Sequence, residues 1–192
     1  MKLIYKGEFS GNVEDIPHGE HKPGAVMFKE PTDIKKFSLI MNIVAFALTI
    51  ILIVILGIRA GSGLAEKWYA LLIGCGLSML SLFPHELLHA ICFKGTVYLY
   101  TNFKQGMLFV TGPEDMSKAR FVFMSMLPNL VFGFIPFIIF LIFPKLIILG
   151  SLGAIAIGMG AGDYMNVFNA VTQMPKGART YVYSFNSYWY MP

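Results

Sequence analysis

Leu82-Phe83-Pro84-His85-Glu86-Leu87-Leu88-His89 closes an apolar run that opens at Trp68 and continues to about Phe93. As a helix of 3.6 residues per turn, this run places the two histidines, four apart, on one face, where both imidazoles can grip one metal ion. Glu86 then sits beside that metal. With four histidines and seven glutamates in 192 residues, a chance His-Glu-x-x-His is expected roughly three times in a thousand such sequences. The spacing is therefore a strong chemical signal, and it lies inside a segment apolar enough to be a membrane span.

Working outward, the composition agrees with that solvent. The chain is 56% hydrophobic and 14% charged, against about 25% charged in a soluble domain, which excludes a disordered chain, a disulfide scaffold and a cytosolic enzyme. Phe37 to Ile58 carries no charge and ends at Arg59, long enough for a hydrocarbon core of ~30 Å. Two further runs cover Phe121 to Phe143 and Leu146 to about Met174. The expected fold is an all-α integral membrane protein of four transmembrane helices, with a β-hairpin between the second and third. The hairpin is read from Thr96-Val97-Tyr98-Leu99-Tyr100 and Met107-Leu108-Phe109-Val110-Thr111, joined by a turn over Asn102 to Gly106. Three regions follow: a lead-in over 1–36, a four-span domain over 37–175, and an aromatic tail over 176–192 suited to the headgroup level. No apolar core opens the chain, so no cleaved signal peptide is expected.

Basic residues orient the spans. The lead-in, the 94–120 segment and the tail hold twelve Lys and Arg, against Arg59, Lys67 and Lys145 on the other side. Both termini are thus expected in the cytoplasm, and the net charge of +4 suits anionic headgroups of a lipid bilayer. No nucleic-acid motif is present.

Of the four histidines and eleven acidic residues, only His85, Glu86, His89 and Asp163 fall inside apolar spans. A carboxylate at membrane depth costs at least ~2.5–3.5 kcal/mol, so it is kept there when paired, solvated or bound to metal. Spans two and four run in the same direction, and His85 and Asp163 each lie 17 residues from the start of their spans. At 1.5 Å per residue both are roughly 25 Å from the outer surface. Gly150, Ala154, Gly158 and Gly162 form a small-residue ridge on span four, with Gly74, Ser78 and Ser81 as a counterpart on span two. His85, His89 and Asp163 would leave a fourth zinc position for water, the open arrangement of a catalytic site, with Glu86 as general base. Asn129 is a candidate to bind substrate or an oxyanion. Asn166 and Asn169 could orient the site or pack helices, His18 and His21 could bind metal weakly, and Cys92 is a soft ligand or a small apolar filler. Glu114 and Asp115 are fallback third ligands.

The His85-Glu86-x-x-His89 motif with Asp163 on a later span resembles the site-2 protease type of intramembrane metalloprotease. The short four-span chain is similar to a bacterial family described as putative zincin peptidases, over most of residues 25–175. The resemblance implies zinc held by His85, His89 and Asp163, with Glu86 as base. It departs from the site-2 pattern in one place: Asp163 stands in Gly162-Asp163-Tyr164 instead of Leu-Asp-Gly. The expected function is a membrane-embedded zinc metalloendopeptidase of a bacterial cytoplasmic membrane, acting on a membrane protein or peptide. The alternative is a zinc-binding but proteolytically inert scaffold or chaperone, which has no need of Glu86.

Overall fold

The computed structural model describes residues 1–102, 107–183 and 186–192, and these divide into two compact units. One unit is built from 1–38, 86–125 and 165–192, the other from 39–85 and 126–164.

The first unit overturns the all-α expectation. Strand β1 (Lys2–Glu8) pairs in parallel with β3 (Thr96–Asn102), and β3 pairs antiparallel with β4 (Met107–Thr111), giving a three-stranded sheet of order β1-β3-β4. The expected hairpin strands are present, in the register Tyr98↔Thr111 to Asn102↔Met107. Its turn beyond Asn102 lies outside the described residues. Residues 2–8 of the lead-in supply the third strand of this sheet. The register shifts between Tyr5 and Gly7, and Gly7 takes φ +90°, a conformation open to glycine that lets one extra residue bulge from a strand.

The tail is also β-structure. Strand β6 (Arg179–Tyr183) pairs with β7 (Asn186–Tyr190), flanked by β2 (Val26–Met27) and β5 (Met116–Ser117) in the order β2-β7-β6-β5. Aromatic and β-branched residues make good strand formers. Alternation puts Tyr181 and Tyr183 in reach of Tyr188, with ring centroids 5.9 and 6.3 Å apart. The apolar centre of this unit is Phe28, Ala90, Phe93, Val97, Met116, Phe121, Met124, Ala170, Met174 and Ala178. A satellite cluster stacks Tyr100 on Phe109 at 5.3 Å beneath Phe9.

In the second unit, helix α1 (Ile34–Ala60) leads to a short α2 (Ser62–Glu66), then α3 (Tyr69–Leu80). After Ser81 the chain continues as α4 (Leu82–Ala90), whose last residues belong to the first unit. Helix α5 (Lys118–Pro128) belongs to the first unit as far as Ser125 and runs into a π-helical turn (Asn129–Phe134) and α6 (Ile135–Ile142) of the second; α7 (Ile147–Met159) follows in the second, and α8 (Ala161–Gln173) passes to the first from Met165 on. Among the described residues, three continuous stretches are long and apolar enough to cross a membrane: Lys35–Ala60, Tyr69–Ala90 and Lys118–Ile142. The expected fourth span is a pair, α7 and α8, bent by 54°. Leu39, Ile43, Phe46, Val54 and Ile58 on α1 are more than half exposed, a continuous apolar face that water would not favour.

Helix packing in this unit is close because side chains are missing where helices meet. A Cβ on Gly74 would overlap Ser151, lying 2.6 Å from its Oγ and 2.9 Å from the Ile148 carbonyl. Ser151 Oγ donates to Leu71 O across the same junction, at 3.0 Å. The small-residue ridge therefore works differently from the expectation. Gly74 meets Ser151, Gly150 faces Phe140 on α6, Gly158 faces Ala45 and Thr49 on α1, and Gly162 meets nothing within 4 Å.

Candidate metal centre

Helix α4 gathers the His-Glu-x-x-His residues as its pitch requires. One ligand atom each from His85, Glu86 and His89 lie within 4.8 Å of one another, with Glu86 and His89 buried. Pro84 sits in the first turn of α4, where a missing N–H costs no intrahelical bond.

Each side chain is then held by its own neighbours. His89 Nδ1 lies 2.9 Å from the Met124 carbonyl; a carbonyl only accepts, so Nδ1 carries the proton and donates. In the neutral ring Nε2 then carries the lone pair, and it is the atom that a histidine braced from behind in this way presents to a metal. Glu86 Oε2 accepts the Val110 backbone N–H at 3.0 Å, which ties the carboxylate to strand β4.

In the second unit, His85 Nε2 lies 3.2 Å from Asp163 Oδ2, both side chains about one-seventh exposed. That is a hydrogen-bond separation. The donor set on α4, the imidazoles of His85 and His89 with the Glu86 carboxylate, is of the type zinc prefers. The residues fit the metal.

Asp163 is further held by Asn129, whose Nδ2 donates to Oδ2 at 2.7 Å. Asn129 Oδ1 accepts from the Tyr164 hydroxyl at 3.2 Å, which also lies 3.0 Å from the Ile157 carbonyl. Asn129 opens the π-helical turn and is 1% exposed. Single π turns recur at functional sites. Sequence reasoning named Asn129 but missed Tyr164, Met124 and Val110; two of these act through the backbone and leave no mark in residue type.

The other candidates are engaged elsewhere. Glu114 accepts the Lys94 and Gly95 amides at 2.7 and 3.0 Å and pairs with Arg120 at 2.6 Å. Burial opposes its ionisation, yet the Gly95 amide, Arg120 and the Lys94 amide together hold its carboxyl below the usual range. Asp115 pairs with Arg179 at 2.7 Å and accepts the Tyr190 hydroxyl, and Arg179 holds its carboxyl low. His18 Nδ1 donates to Ile16 O at 2.9 Å, and His21 Nδ1 lies 3.0 Å from the Tyr181 hydroxyl. Cys92 Sγ is 3.4 Å from Leu88 O, and Asn169 bonds Gln173 at 2.9 Å and Glu30 at 3.4 Å. Glu30, which the sequence did not single out, also accepts the Ser187 amide at 2.7 Å.

No curated protein and no solved structure matches the chain. A protein-family model described as putative zincin peptidase matches residues 78–179, a stretch that takes in His85, Glu86, His89, Asn129 and Asp163. It spans more than half of the 192 residues, and the chain belongs to that family of putative zincin peptidases.

Proposed function

We propose that the protein is a membrane-embedded zinc metalloendopeptidase in which His85, His89 and Asp163 hold the metal and Glu86 is the general base. The observation that carries this reading is the His85-Glu86-His89 cluster on α4, together with the Asp163 carboxylate 3.2 Å from His85. Zinc, when bound, supplies Lewis-acid activation of a water molecule and of the scissile carbonyl.

The chain's own residues perform the rest. Glu86 accepts the proton of the attacking water and returns it to the leaving amine as the peptide bond breaks. The Val110 N–H fixes one carboxylate oxygen, so the base does not swing away from its helix. His89, braced by the Met124 carbonyl, and His85, beside Asp163, present their rings in fixed orientations. No serine or cysteine nucleophile is required. Strand β4 is the outer strand of its sheet among the described residues, and an extended substrate segment can add to that edge by main-chain hydrogen bonds. The substrate is then a membrane protein or peptide with an unwound segment at the cytoplasmic side, and the bilayer surrounds the three apolar helices.

The test is a comparison of the detergent-purified protein with its Glu86→Gln variant. The amide keeps the size of the side chain but cannot accept the water's proton. Both proteins should retain zinc, while cleavage of a panel of single-span membrane proteins should fall ~10²–10⁴-fold in the variant. Equal cleavage by both would refute Glu86 as base, and zinc without any Glu86-dependent cleavage would favour an inert zinc-binding scaffold.

A further inference from the structure

The Asn129 amide has one workable orientation. Rotated by half a turn, its Oδ1 would face the Asp163 carboxylate, acceptor against acceptor; as placed, Nδ2 donates to Asp163 Oδ2 at 2.7 Å. The other end is anchored by Tyr164, whose hydroxyl reaches Asn129 Oδ1 and the Ile157 carbonyl. Space for this arrangement is provided by Gly160. A Cβ there would overlap Asn129 Oδ1 and lie 2.6 Å from its Cγ. Gly160 has φ −75°, a backbone any residue adopts, so glycine is needed at this position for room alone. It stands at the bend between α7 and α8, one turn before Asp163.

We propose that Asn129 is a positioning residue for Asp163, and that Tyr164 and Gly160 exist to hold its amide in register. This rests on the zinc reading above and assigns Asn129 a role different from contact with substrate. Its donor and the His85 ring converge on the same Asp163 oxygen. The carboxylate is thereby fixed in one rotamer before metal arrives. Partners that orient a metal ligand from behind change metal affinity by about 10–100-fold when removed.

The experiment uses the full chain in detergent and reads zinc affinity by chelator competition, the visible spectrum of the Co²⁺-loaded protein and thermal unfolding. Asn129→Leu keeps the side chain's bulk and removes the donor. It should weaken zinc about 10–100-fold and shift the Co²⁺ bands, which report the ligand field. Tyr164→Phe removes only the anchor and should move both readouts in the same direction by less; it keeps the proposal testable if Asn129→Leu does not fold. Gly160→Ala, which leaves every polar group in place, should resemble Asn129→Leu. A helix staple with no bearing on the metal would lower the unfolding temperature and leave the spectrum unchanged. The proposal is overturned, with the zinc reading intact, if Asp163→Ala weakens zinc while the Asn129 and Tyr164 variants keep wild-type affinity and spectrum. If the wild-type protein binds neither zinc nor Co²⁺, both readings fall together.

Discussion

Gly74 and Gly76 lie two residues apart on α3 and predict opposite effects of the same substitution. At Gly74 an added methyl would overlap Ser151 and stand 2.9 Å from the Ile148 carbonyl, whereas at Gly76 it would meet nothing within 4 Å. Unstrained carbon contacts are ~3.5–4.0 Å, so Gly74→Ala must part α3 and α7 by roughly 1 Å. Overpacking of this kind costs about 1–3 kcal/mol. The Ser151 to Leu71 hydrogen bond crosses the same junction, and its loss adds about 0.5–1.5 kcal/mol. Gly76→Ala carries no such cost and gains about 1 kcal/mol of helix propensity. Both substitutions gain that propensity, so it cancels, and the two variants should differ by roughly 1.5–4.5 kcal/mol. Unfolding by SDS titration out of mild detergent, followed by circular dichroism, measures the difference. Equal midpoints for the two variants would refute the packing deduced for α3 against α7.

Two carboxyls outside the apolar helices should show opposite pH trends. Burial raises Glu30 despite hydrogen bonds from Ser187, Asn186 and Asn169, so its contribution is fully present below the unfolded value and is lost as pH rises through the folded one. Glu30→Gln should thus be more stable than wild type near pH 7, with the gap closing toward about pH 4; a gap independent of pH argues against a buried charge at this position. Asp115, held low by Arg179, stabilises above its unfolded value, and that stability is lost as pH falls through the folded one. Asp115→Asn should be less stable at neutral pH, and the deficit should shrink in acid. Orientation is tested by single cysteines placed at Lys94 or Lys118 in a background without Cys75 and Cys92: maleimide added to intact cells should label them only after the membrane is permeabilised, and labelling from outside would reverse the topology.

The metal cluster was legible because its signal is local and chemical: two imidazoles four apart on a helix and a carboxylate between them. Strands β3 and β4 were legible for a similar reason, being two β-branched and aromatic runs close in sequence. The partner of β3 was not, since β1 lies about ninety residues earlier and parallel pairing leaves no turn to read. The tail's tyrosines fit both a bilayer interface and a strand, and only the pairing of β6 with β7 distinguishes the two. Counting residues along straight helices put His85 and Asp163 at one level, and their atoms are 3.2 Å apart. That count had no means of seeing the bend at Gly160, nor that Gly74 would meet Ser151 instead of the glycine beside it. The bend brings Tyr164 onto Asn129, a contact that depends on a π-helical turn with no sequence signature beyond Pro128.

The most direct test of the account is the metal content of the protein purified in mild detergent without added metal, measured by mass spectrometry for wild type, His85→Ala and His89→Ala. Two remaining ligands cannot hold zinc tightly, so the account predicts stoichiometric zinc in the wild type and its loss from each variant. Stoichiometric zinc retained in both variants, or a wild-type protein that takes up no zinc when it is offered, would contradict it.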